Sequence, residues 1–249
     1  MKSGCIFVGP TRLNRTWREA FDLFGPASLG SIFRSAEAGY ACIGLVDGYF
    51  GSTPAVWHKE ILFALSRGHH VWGAGSTGAL RAAELHTFGM RGCGAIYRLV
   101  RRGSIADDDE VCVLHAVPEL DFAPLTYAMI NVRFTLRKMS RRGEISRLDE
   151  ATLADRLKRV HFADRTLDAI ADAADRALGA AAPDFGKRFA ESHFDIKALD
   201  AELMCRRMAR DRASPTSNSG WEFPRTSHWI DQFERDQSDI PPLGVDGRL

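Results

Sequence analysis

The sequence predicts an α/β protein: a parallel-rich sheet flanked by helices, then an all-helical C-terminal section and a flexible tail. Three observations carry this. Short apolar runs at residues 5–8, 41–46 and 70–72 alternate with segments of helical spacing, the β-α-β-α-β-α order that a helix-covered parallel sheet requires. The run at 41–46 is apolar throughout, as expected of a strand buried on both faces. Beyond Gly143 strand-like runs stop and leucines recur at helical spacing, and from Asp211 Ser, Pro, Gly and charge dominate without period. The expected division is a core domain at 1–143, a helical section at 144–210 and a tail at 211–249.

The elements follow in order. Residues 5–8 form a strand stopped by Gly9-Pro10. Thr16 caps a helix carrying Trp17, Ala20, Phe21 and Phe24, and Ser28 caps another carrying Ile32, Phe33 and Ala36. The strand at 41–46 delivers Asp47, Gly48, Tyr49 and Phe50 at its C-terminal end. Thr53-Pro54 starts a helix with Val56, Trp57, Ile61, Leu62 and Leu65 inward. A third strand leads to a helix from Gly78 to Phe88. Residues 93–100 and 111–115 suggest two further strands, and 124–140, 146–160, 164–178 and 195–208 suggest four helices. Trp221, Phe223, Trp229 and Phe233 keep open a second reading of the tail, in which part of it docks on this chain or on a partner.

With 249 residues, 45% of them hydrophobic, the chain can bury a proper core. Lys and Arg number 33 against 32 Asp and Glu, so no basic excess argues for nucleic acid. No apolar run approaches the ~18 residues of a membrane helix, and the N-terminus lacks a signal-peptide pattern. Five widely spaced cysteines without a CxxC pair suggest reduced thiols in a cytoplasmic protein.

The stretch GAGSTGALRAAEL at 73–85 carries the most chemistry. Small residues around Ser76 allow a sharp strand-to-helix turn, which would present its hydroxyl beside unpaired N–H groups at a helix start. Ala74 stands where the usual G-x-S-x-G pattern has its first glycine, and a phosphate cradle or a merely tight turn are the alternatives. A serine nucleophile needs a base; His58, Lys59 and His115 are the candidates. Lys59 serves only if its pKa is lowered, which Trp57, Ile61 and the start of its helix would favour; otherwise it is a surface lysine. His58 otherwise sits on a helix surface, and His115 is otherwise a satisfied core histidine. The run Asp107, Asp108, Asp109, Glu110 invites a metal with His115 as a further ligand, but a solvated loop or a partner contact explains it as well. Arg81 either pairs with Glu84 three residues on or binds an anionic group near Ser76.

Three segments together, VDGYFGSTPAVWHKEIL at 46–62, GAGSTGALRAAELHTFGM at 73–90 and ADDDEVCVLHA at 106–116, resemble the TfuA family, and the likeness covers roughly residues 5–140. Gly75 and Thr77 stand where family members often carry Ser and Met. The resemblance implies a protein that accompanies a YcaO enzyme in peptide-backbone thioamidation. It implies hydrolysis of the thiocarboxylate on a ThiS-like sulfur-carrier protein, with sulfide passing to the YcaO partner, and the precursor peptide as a possible further partner. Ser76 and Lys59 would be the catalytic pair, with no cofactor and no metal. Thr77 and Gly78 would hold the oxyanion, with Arg81, Asp47, Gly48, Tyr49 and His58 around the substrate. The alternative is a non-catalytic adaptor that docks the YcaO enzyme and its peptide. Sulfur transfer through a cysteine is disfavoured, since no cysteine sits in a reactive-looking loop.

Overall fold

The strand β3 (Cys42–Leu45) is apolar or glycine at every position, and it lies in the middle of the sheet. The computed structural model describes residues 4–51, 53–179, 184–211, 222–235 and 243. These fall into two units, Met1–Ser104 with Ala198–Leu249, and Ile105–Lys197.

In the first unit β1 (Gly4–Phe7), β2 (Asp22–Phe24), β3, β4 (His70–Gly73) and β5 (Arg91–Gly92) form an all-parallel sheet in the order β2-β1-β3-β4-β5. Alternate residues point to opposite faces of a strand. Cys5, Phe7, Ile43, Leu45 and Val71 pack with α2 (Ser31–Glu37), α3 (His58–Ser66) and the Ala82 and Leu85 side of α4 (Thr77–Leu85). Ile6, Cys42 and Trp72 meet Ala201, Met204, Cys205 and Met208 of α10 (Ile196–Asp211). The fit is close: a Cβ on Gly44 would stand 2.9 Å from Met208 Sδ and 3.0 Å from Met204 Cε. A helix late in the chain thus covers one whole face, which is why the units divide after Ser104 and after Lys197 and not at the expected 143 and 210.

Several elements differ from expectation. The helix expected from Thr16 is one turn, α1 (Trp17–Ala20), after which the chain extends into β2 and pairs with β1. In Phe21, Leu23 and Phe24 the burial alternates between faces, a period-two pattern that helix spacing had masked. Thr53 and Pro54 do not start a helix; Pro54 O accepts from Leu29 N–H at 2.8 Å, and α3 begins at His58. Residues 93–100 are not a strand but α5 (Gly94–Arg101), whose Ala95 and Ile96 N–H groups donate to Asp200 on α10 at 2.8 Å each. Gly94 has φ 92°, and a Cβ there would lie 2.0 Å from the Asp200 carboxyl carbon, so only glycine admits this cap.

The second unit packs α6 (Met129–Arg141), α7 (Arg147–Lys158), α8 (Leu167–Leu178) and α9 (Phe185–Ser192) around Leu136, Met139, Leu153, Leu157, Ile170 and Phe189. Ser146 and Asp149 close a reciprocal cap on α7, and Thr166 caps α8. The strand expected at 111–115 is instead one arm of an irregular antiparallel loop, joined by Ala116 N–H to Ala123 O at 2.9 Å and Leu125 N–H to Leu114 O at 2.8 Å. Helix α9 was not expected. No helix among the described residues is long and apolar enough to cross a membrane.

The expected tail is partly structured. Residues 212–221, 236–242 and 244–249 lie outside the described residues. Between them α11 (Ser227–Trp229) runs on into a π-helical stretch at Ile230–Arg235. Trp229 and Phe233 are fully buried against Phe33 and Phe63, so the docking reading holds for this segment.

Glu60 joins the two helices beneath it. It is fully buried, accepts from Trp57 N–H at 3.0 Å and Phe33 N–H at 3.4 Å, and so faces the starts of both α2 and α3. Burial outweighs these donors and pushes its carboxyl from 4.5 up to about 7.

Two outcomes follow for stability. Phe233→Ala should lower the urea unfolding free energy by about 3 kcal/mol or more, whereas an undocked tail would leave it unchanged. Between pH 4.5 and about 7 the native state holds the Glu60 proton that the unfolded chain releases, so stability should fall as pH rises through that window. Glu60→Gln should remove most of that slope, a term of about 3 kcal/mol across the window.

Candidate active site

A parallel sheet gathers its strand C-termini at one edge, and there the chain brings three loops together. The order β2-β1-β3-β4-β5 reverses direction between β1 and β3, the place where such sheets open a crevice. Asp47 sits at that point, 2% exposed. Its carboxylate accepts from Gly9 N–H and Thr11 N–H at 2.9 Å each and from the Thr11 hydroxyl at 2.8 Å. Asp47 therefore fastens the loop after β1 to the end of β3. Gly48 bridges to Ala27 in the loop after β2, and Tyr49 N–H donates to Ala27 O at 2.9 Å. A Cβ on Gly48 would meet Ala27 O and the Thr77 side chain at 3.3 Å, so this strand end presses against the start of α4. Tyr49 is half-buried beside it and Phe50 is exposed.

Ser76 follows β4 and is the N-cap residue of α4. The left-handed position of the turn falls on Gly75, φ 71°, and Ser76 itself is at φ −134°. The hydroxyl residue is 6% exposed. Behind it the helix lies against β3: a Cβ on Gly78 would stand 1.8 Å from Leu45 O, and one on Gly73 would stand 2.0 Å from Gly78 O. Both glycines are needed for this approach. It has a cost to the expected oxyanion site, because Gly78 N–H donates to Val46 O at 3.0 Å. Gly78 is thus a packing residue, and the donor left at the helix start is Thr77 N–H, which no hydrogen bond takes among the described residues.

Lys59 lies in the first turn of α3, the connection from β3 to β4, so its end of that helix belongs to the same sheet edge. Its Nζ donates to Thr226 Oγ1 at 2.6 Å and stands 5.5 Å from the centre of the Phe223 ring. Neither contact was foreseeable, since both partners lie more than 160 positions along the chain. His58 and Arg81 share one carboxylate: His58 Nε2 and Arg81 Nη1 each reach Glu84 Oε2 at 2.7 Å, bracing α3 against α4. Arg81 Nε is buried without a hydrogen-bond partner among the described residues.

In the second unit the acidic run is tied down. Glu110 is buried and takes a two-point contact from Arg133, both at 2.9 Å. Lys158 reaches Asp107 at 3.0 Å, Glu110 at 3.1 Å, and Asp109. Arg165, fully buried, reaches Asp109 at 3.2 Å and the carbonyls of Leu157 and Val160. These three cations hold the run to its own helices, and among the described residues no cluster of His, Cys, Asp and Glu is arranged to bind a metal. His115 Nδ1 contacts Ala116 O at 2.8 Å and its ring packs edge-on against Phe122. The five cysteines are buried and none is in a disulfide, and desolvation raises Cys5 and Cys112 to about 12, the opposite of a reactive thiol.

No curated protein matches the chain. The family model for TfuA-like protein matches residues 47–166, which starts at Asp47, takes in Lys59, Ser76 and Arg81, and ends just past Arg165. It begins later and ends later than the stretch of roughly 5–140 that carried the resemblance. On that match residues 47–166 belong to the TfuA-like protein family.

Proposed function

We propose that this protein is a serine-dependent thiohydrolase that releases sulfide from a thiocarboxylated ThiS-like sulfur-carrier protein for a YcaO enzyme. Family membership supports a role associated with thioamidation. The observation that carries the catalytic reading is the start of α4. There a small-residue turn holds Ser76 at a strand end, and the adjoining Thr77 N–H has no hydrogen bond among the described residues.

In this reading Lys59 Nζ takes the Ser76 proton. The alkoxide forms a bond to the carrier's terminal carbonyl carbon, and Thr77 N–H steadies the oxyanion. The C–S bond breaks as Lys59 returns its proton to the departing sulfur, so hydrosulfide leaves and a carrier–Ser76 ester remains. Water, deprotonated by Lys59, opens the ester; Lys59 returns that proton to the departing Ser76 oxygen, and the carrier leaves as a carboxylate with its acid proton lost to solvent. Arg81 would orient the anionic thiocarboxylate, using the Nε that has no other hydrogen-bond partner among the described residues. Asp47 has a structural part, because three donors already occupy it. Gly48 and Tyr49 would wall the cleft for a carrier tail of small residues.

The adaptor reading draws on a different surface. The loop arms at Leu114, Val117, Leu120 and Leu125 are between 44% and 64% exposed, an apolar ridge suited to a protein partner.

With purified thiocarboxylated carrier, Ser76→Ala should abolish sulfide release while leaving partner binding intact. Lys59→Ala should lower release by about a hundredfold or more. Wild-type release by Ser76→Ala would show that the serine assignment is wrong and leave the adaptor reading.

A further inference from the structure

The segment at 222–235 lies beyond the family-matched residues, yet it supplies the hydroxyl that holds Lys59. We propose that this C-terminal segment is a strap that completes the candidate site, with Thr226 as the positioning residue for Lys59. The inference rests on the reading of Lys59 as the base, and it assigns that base a support from outside the family-matched residues.

The segment is built to hold one geometry. Arg225 and Glu234 pair across it, and Glu234 Oε1 also accepts from Trp229 Nε1 at 3.0 Å. Trp229 and Phe233 anchor it in the core beside Phe33 and Phe63. Phe223 meets Phe63 and Trp229 edge-on, at 5.6 and 4.9 Å between ring centres. His228 stacks on Trp57, the N-cap residue of α3, at 4.9 Å. The strap is therefore seated on both sides of Lys59 in sequence and space. Between these anchors Thr226 Oγ1 accepts two bonds, one from Lys59 Nζ at 2.6 Å and one from Trp229 N–H at 3.4 Å. The Phe223 ring stands over the same nitrogen. A lysine side chain has four rotatable bonds, and without such contacts its amine would sweep a wide arc. With them it has one direction, set by an exposed cap hydroxyl whose segment is anchored by the buried Trp229 and Phe233. Undocking the strap would remove both contacts from the amine, so site competence and strap docking are one equilibrium.

The test reads Lys59 directly. Wild type, Thr226→Val and Thr226→Ser are pulse-labelled with formaldehyde and borohydride, and Lys59 methylation is compared with Lys187 by peptide mass spectrometry. Loss of that hydrogen bond should raise Lys59 labelling about tenfold in Thr226→Val, with Thr226→Ser close to wild type. In parallel, sulfide release should show a fall in kcat at unchanged KM for Thr226→Val and recovery in Thr226→Ser. Equal labelling of Lys59 in all three overturns the proposal. So does a Thr226→Ser variant as exposed as Thr226→Val, which would mean that packing, not the hydroxyl, holds the amine. The expected labelling pattern in a protein that releases no sulfide even as wild type keeps the Lys59–Thr226 contact and sinks the hydrolase reading alone.

Discussion

The start of α4 is pressed so closely on β3 that hydrogen is the largest side chain the contact admits. Gly78 rests against Leu45 O, Gly73 against Gly78 O, and Gly78 N–H is spent on Val46 O. Everything at the sheet edge follows from that contact. It seats the first turn of α4 on the end of β3, sets Thr77 against Gly48, and leaves one helix-start N–H open where two would otherwise be. A larger residue at either glycine would lift the helix and carry the serine with it. The close approach is the physical reason for the glycines that make the turn readable in the first place.

The edge is nevertheless assembled from distant parts of the chain. Asp47 draws in the loop after β1, and the loop after β2 is joined through Ala27. One sheet face is closed by α10, which also caps α5 with Asp200. The other face takes Trp229 and Phe233 from near the C-terminus. The family-matched residues thus hold the candidate chemistry, while β1, β2, α10 and the strap supply the frame that positions it. Burial of this kind is non-directional and contributes in proportion to area. The directional parts are few: the Asp47 acceptor, the Asp200 cap and the Glu60 carboxylate between two helix starts.

What the sequence disclosed follows the range of the interactions. The strands at β1, β3 and β4 and the turn at Ser76 were legible because apolar runs and glycines report local geometry. Helices α7 and α8 were legible because their leucine spacing and caps are contained within a few residues. By contrast β2 is three residues whose extended form depends on pairing with β1, and α5 takes its cap from a carboxylate on α10. The run Asp107 to Glu110 resembled a metal site because its cations, Arg133, Lys158 and Arg165, lie on other elements. The Thr226 acceptor for Lys59 and the loss of Gly78 N–H to Val46 O are likewise contacts between remote residues, and no local pattern announces them.

The central claim is a covalent one, and it is tested most directly by trapping. Wild-type protein is mixed with thiocarboxylated carrier, quenched in acid within the first turnovers, and digested for mass spectrometry. The account predicts the carrier's C-terminal residues joined as an ester to the peptide that contains Ser76. Sulfide release with no adduct at Ser76, or with the carrier attached to another residue, would contradict it.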